Sequence, residues 1–446
     1  TYNGSFTISG SGITTFSTNN QTVQGNTLTF GPVTVGTGIT VSSSGAVPVT
    51  INGAIVLTGN IDFTGAGLTT FASLTCSGAG NITLQSVSMA ATATVSQTGT
   101  FTVLGTTTTA GTAITAASGL KSFQGLVTIT GGNFTSNNTA PLEFQAGISN
   151  AGTLNQSGAG TVTFTGTQTI SGAGAVTFAG PVTASADLKL AKTAGAVTFS
   201  NTLTVTGDLD LSSSSTSTVS GVGTVGSLTT SNGTTLTIGA NNFTVSGTAS
   251  LGGLMVDNNS GGTDTFTGAF SILSTGELRE LIGVSSSPWT FGSTFSNAGT
   301  FNNTSNGSVL TFNDDITNTG TFIRTGATSG GIIFNNTILF SSTSSIAITT
   351  NPAWTINGAT TLSFGGNTLS TGGSLTINTG GSLDAGDASL TISGTTTLVG
   401  TAAITDNSNT GTNTFTGLVT VPATASFSTS NNSNFNFAGG IANDGT

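Results

Sequence analysis

Phe291–Phe301, FGSTFSNAGTF, and its echo Phe312–Phe322, FNDDITNTGTF, start 21 residues apart and decide the fold. Each opens on Phe, turns through small polar residues and closes on Gly-Thr-Phe. The cadence returns at Phe123 (FQGLVTITGGNF), Phe144 (FQAGISNAGTL), Phe334 (FNNTILFSSTSSI), Phe415 (FTGLVTVPATASF) and Phe437 (FAGGIANDGT). Taken at its leading apolar residue, the register runs Ile8, Phe30, Ile51, Phe71, Val103, Phe123, Phe144, Phe178, Phe199, Phe243, Phe266, Phe291, Phe312, Phe334, Ile356, Ile377, Ile392, Phe415, Phe437. Most steps are 20–23 residues; Phe71 to Val103 and Ile377 to Ile392 fit poorly. The double step from Phe199 to Phe243 leaves one copy blurred within Leu211–Val219. A unit this short holds three brief strands and three turns, too little to bury its own apolar side, so it must stack on copies of itself.

The local texture agrees. Alternating runs such as NTLTF (Asn26–Phe30) and TVTFTG (Thr161–Gly166) carry β-branched and aromatic residues with period two, the strand pattern, and are separated by Gly, Asn and Ser turns. In the coil Ser308–Arg324, alternation points Leu310, Phe312, Ile316 and Phe322 inward and Thr311 and Asn313 outward. The expected fold is all-β: a parallel β-solenoid of about 20 coils with a 20–23 residue period, forming one array over residues 1–446. The period and the absence of a hexapeptide pattern favour the irregular right-handed type. The core is assigned to Phe30, Phe123, Phe144, Phe178, Phe199, Phe243, Phe266, Phe291, Phe301, Phe312, Phe322, Phe334, Phe415 and Phe437. The one helix candidate, GELRELIG (Gly276–Gly283), falls in an irregular region near 271–290 and reads as a loop or single helical turn.

Only 4% of residues are charged, although Gly reaches 66 and Phe 27. Stacking explains this. A charge repeated every coil faces its own kind about 4.8 Å away, a repulsion of about 0.9 kcal/mol in water and about 3.5 kcal/mol at an effective dielectric of 20. Neutral Asn and Thr form ladders along the stack instead. Five basic residues cannot neutralise a row of phosphates, which excludes nucleic acid as a main partner and anionic membrane surfaces likewise. No apolar run is long enough for a membrane-spanning helix. With no His and a single Cys76, there is no imidazole ligand or base and no internal disulfide; Cys76 reads as a small core filler.

The Phe-x-Gly/Asn-x-Ile/Val … Gly-Thr-Phe/Leu units resemble the β-helical repeats of large secreted bacterial surface proteins, autotransporter passengers and filamentous-haemagglutinin-type exoproteins. The resemblance covers almost the whole chain and is one of repeat style. It implies a secreted, extracellular or cell-surface location.

Candidate chemistry is sparse. Gly221-Val-Gly223-Thr-Val-Gly226 matches a dinucleotide fingerprint, but that motif must open a helix, and strand and turn residues follow it. Asp208 and Asp210 share an outward strand face, and Asp384 with Asp387 forms another close pair; both are weak metal or acid/base candidates, read first as solvated surface. Their offsets within the repeat differ, so they build no common groove. Outward Thr-x-Thr units at Thr161–Thr163, Thr235–Thr237 and Thr395–Thr397 could order water on a flat face, though Thr is also a good strand-surface residue.

No catalytic residue, cofactor or metal is therefore assigned. The expectation is a non-enzymatic structural protein of a surface fibre, sheath or adhesin stalk, its principal partner being itself, end to end or laterally. The chain ends in mid-motif at ANDGT, which reads as a window from a longer array or as subunits stacking head to tail. The alternative is a binding module for cell-surface glycans or ice; a polysaccharide-cleaving enzyme is a distant third.

Overall fold

The computed structural model describes residues 12–445 apart from 26, 73, 91, 138, 214, 240, 259–260, 281–286, 305–307, 325–329, 337, 341–344, 349–352, 359–360, 364–368, 387–388, 407–410 and 430–432. The chain is an all-β parallel β-solenoid of about 18 turns, and the described residues contain no helix. It divides into two compact units, Thr1–Val219 and Ser220–Thr446.

Each coil contributes three short strands, one to each side. In the first unit one coil supplies Leu142–Phe144 to side one, Ile148–Asn150 to side two and Thr153–Gln156 to side three. The next coil lays Val162–Phe164, Gln168–Gly172 and Val176–Phe178 over them, all parallel and in register, with Phe144 opposite Phe164, Ile148 opposite Ile170 and Leu154 opposite Val176. In the second unit Leu310–Phe312, Ile316–Asn318 and Thr321–Arg324 are followed by Ile332–Phe334, Ile338–Phe340 and Ser345–Ile348 in the same way. Interior strands thus bond on both edges, which satisfies their backbone groups without a helix.

The alternation works as the sequence predicts. Inward residues such as Val162 and Phe164 are buried while Thr163 between them stays partly open. Rings stack along the coils: Phe123 on Phe144 with centroids 5.6 Å apart, Phe266 on Phe291 at 5.3 Å, Phe291 on Phe312 at 5.0 Å and Phe301 on Phe322 at 4.5 Å. These separations lie close to the strand spacing, so each ring sits on its copy. The assigned core phenylalanines are buried, except that Phe437 in the last coil is only half-buried.

Outside, the expected ladders form. Asn335 donates to Asn313 at 2.6 Å, Asn357 to Asn335 at 2.5 Å and Asn378 to Asn357 at 2.7 Å. The corners explain much of the glycine. A Cβ on Gly394 would lie 2.5 Å from the Gly373 carbonyl oxygen, and Gly417 and Gly439 repeat the clash one and two coils on. Only glycine lets these corners close to strand spacing.

Two sequence readings need correction. The single register crosses between sides: Phe30, Ile51 and Phe71 lie on side two, Val103, Phe123 and Phe144 on side one, and Phe178 and Phe199 on side three. In the second unit the step from Ile377 to Ile392 likewise passes from side one to side three. The cause is that all sides use one triplet; VTF occurs at Val162–Phe164 on side one and at Val176–Phe178 on side three. The blurred copy is Thr216–Val219, which places Val219 opposite Phe199. GELRELIG is no loop or helical turn: Glu277–Glu280 is a side-three strand between Leu254–Asp257 and Thr300–Asn303. Residues 281–283 of that stretch, and Ile8, lie outside the described residues.

Candidate functional site

Among the described residues, a gathering of charged and polar side chains lies inside the second unit, on side three. Four successive strands there, LMVD, ELRE, TFNN and TFIR, place Met255, Leu278, Phe301 and Phe322 inward. Period two then turns their last residues inward as well, so Asp257, Glu280, Asn303 and Arg324 form a buried column in register. Ile238 precedes the column and Ile348 follows it in the same register.

The column is tightly bonded. Asn303 donates its amide to Glu280 Oε2 and accepts from Arg324 Nη1. Ser308 Oγ donates to Glu280 Oε2 at 3.2 Å, and Arg324 Nη2 donates to the Ser308 carbonyl at 2.6 Å. Burial lowers the Arg324 pKa and the charge of Glu280 opposes this. At the other end Trp289 Nε1 donates to Asp257 Oδ2 at 2.7 Å. Asp264, opposite Trp289 on side one, accepts from the Phe243 amide at 3.1 Å through Oδ1. Its other oxygen is buried without a donor. Burial, then the charge of Asp257 and a hydrogen bond with it, push Asp264 up to about 9, with Glu280 adding to the rise and the Phe243 amide opposing it. Burial beside a second carboxylate thus favours the protonated form of Asp264 at neutral pH.

Chemically this arrangement is closed. Asp257, Asp264, Glu280, Asn303 and Arg324 are each buried. Their partners are one another and the next coil, and the column works as a polar seam.

The first unit buries cations instead. Lys121 donates through Nζ to the carbonyls of Gln97, Gly99 and Gly119 at 3.2, 2.8 and 2.9 Å. Lys192 donates to the Ser171 carbonyl at 3.2 Å. Burial lowers both to about 8; for Lys121 the nearby Cys76 opposes the shift. Cys76 is buried and its thiol is pushed up to about 12 by burial.

The sequence candidates are not brought together. Asp208 and Asp210 do face outward from Leu203–Leu211, with Leu209 and Leu211 buried behind them. Asp210 pairs with Lys189 at 3.0 Å, and the Asp208 amide donates to Asp187 Oδ1 at 2.9 Å. Asp384 accepts from the Gly386 amide at 3.1 Å, while Asp387 lies outside the described residues. Among the described residues no group of three or more His, Cys, Asp or Glu side chains could hold a metal ion, and no helix is long and apolar enough to cross a membrane. Gly223–Thr230 is a strand, so the glycine fingerprint opens no helix. The signal for the buried column is the alternation in LMVD, ELRE and TFIR, which turns Asp257, Glu280 and Arg324 inward with Met255, Leu278 and Phe322.

Comparison with protein families, with characterised proteins and with solved structures finds no significant match to this chain.

Proposed function

We propose that the chain is a non-enzymatic structural protein, a stiff solenoid segment of an extracellular fibre, sheath or adhesin stalk. The observation that carries this reading is the use made of the chain's most reactive side chains. Asp257, Asp264, Glu280 and Arg324 are sealed in the core and joined coil to coil, where they contribute cohesion rather than chemistry. Stacked Phe rings and the external Asn ladder act along the same direction. The similarity of repeat style to secreted bacterial surface proteins supports the location and the fibre role. Electron microscopy of the purified chain without any ligand tests the proposal. Filaments with a repeat near 4.8 Å along the axis support it; dispersed particles at high concentration count against it.

A second reading, ice or surface-water binding, draws on one observation. On side one of the second unit, Thr224, Thr244, Thr265, Thr290 and Thr311 occupy one outward register, resumed by Thr355, Thr376, Thr397 and Thr420. A thermal-hysteresis assay decides it, and a glycan array decides the remaining adhesin alternative.

A further inference from the structure

Buried charge is divided between the two units by sign. Among the described residues, Thr1–Val219 buries Lys121 and Lys192 and no carboxylate, whereas Ser220–Thr446 buries Asp257, Asp264, Glu280 and Asp406 with Arg324 as its buried cation. We propose that the chain carries two proton-linked locks of opposite sign, so that the second unit tightens as the solution becomes acidic and the first as it becomes alkaline.

The geometry sets each lock. Around Asp264, the side-three strands Leu254–Asp257 and Glu277–Glu280 supply Asp257 and Glu280, and Arg324 balances Glu280 through Asn303. Adjacent side-one strands contribute the Phe243 amide and, in register with Asp264, Trp289. With Asp257 and Asp264 both buried and repelling one another, the folded unit favours the state in which Asp264 keeps its proton. Unfolding would free that proton, since an exposed aspartate titrates near 3.8. Between about pH 4 and about 9 the folded unit thus binds one proton more than the unfolded chain, and its stability falls as pH rises. Above about 9 this group contributes no further change.

Lys121 and Lys192 act in reverse. Lys121 faces three carbonyls with Cys76 as its titratable neighbour, and the Lys192 ammonium faces the Ser171 carbonyl. Unfolded lysine keeps its proton up to about 10.5, while these two release theirs near 8 when folded. Between those values the two lysines leave more protons on the unfolded chain, so the first unit gains stability as pH rises, and above about 9 the raised Cys76 thiol offsets one of the two.

The chain contains its own probes. Both tryptophans, Trp289 and Trp354, lie in the second unit, and its one cysteine, Cys76, lies in the first. Urea unfolding is followed by Trp fluorescence and, in parallel, by a saturating pulse of thiol reagent on Cys76, from pH 5.5 to 10. Linkage of one proton makes the opening constant of the second unit rise about tenfold per pH unit up to about 8.5. The Trp midpoint should therefore fall over that range, and the Cys76 midpoint should rise between pH 8 and 10. Asp264→Asn should flatten the first profile, and Lys121→Met with Lys192→Met should abolish the rise of the second. Midpoints that move in the same direction, or an Asp264→Asn profile as steep as the parent's, overturn the proposal. If a variant does not fold, the two parent profiles decide alone.

Discussion

Glu280 and Arg324 lie two coils apart on the same side of the solenoid and are joined through Asn303, which donates to one and accepts from the other. An ion pair is thus spread over three coils, with a neutral amide as its middle member. Asn303→Leu keeps the branched shape and removes both bonds, leaving Ser308 to bridge the two buried charged groups. The expected loss is about 3 kcal/mol by urea denaturation of the second unit. Replacing the whole set, Glu280→Leu with Asn303→Leu and Arg324→Leu, should recover most of that loss, because Ile already occupies this register at Ile238 and Ile348.

Phe312 stacks on Phe291 at 5.0 Å and on Phe334 at 6.0 Å and meets Phe295 edge-on. Phe312→Ala should cost about 3–5 kcal/mol, a cavity shared by three coils. Leu273, 47% exposed in the same unit, should lose no more than about 0.5 kcal/mol on truncation to Ala. Chemical denaturation monitored by Trp fluorescence measures both.

Gly394 tests the corner packing. Its backbone needs no unusual dihedral, so the added methyl of Gly394→Ala acts only by meeting the Gly373 carbonyl. A loss of about 2 kcal/mol or more is expected from the forced separation of two coils. Gly131, with open space around its would-be Cβ, should accept Ala with a change within about 0.5 kcal/mol. Thermal melting of the two variants provides the comparison.

Asp208 and Asp210 should behave as ordinary surface. Asp210→Asn removes a partly exposed pair with Lys189, worth at most about 1 kcal/mol. Chelation with EDTA should leave the melting temperature of both parent and variant unchanged.

How much of this was legible can be argued residue by residue. Phe312, Ile316 and Phe322 announced their inward faces through period two alone, and the coil followed from them. Which side a strand joins was not legible, because Val162–Phe164 and Val176–Phe178 are spelled alike and only inter-coil pairing separates them. Glu277–Glu280 was misread because three charges in four residues resemble a surface turn, yet Leu278 already fixed Glu280 as buried. The raised titration of Asp264 was beyond sequence reasoning, since Asp257 belongs to another side of the coil.

The central claim is mechanical: stacked coils, each held mainly by its neighbours, bear load along the chain. Single-molecule pulling from both termini measures this most directly. The account predicts a sawtooth of discrete ruptures whose extensions are about 70 Å, one coil of roughly 21 residues, or small multiples of it. Smooth extension at low force, without steps of that size, would contradict it.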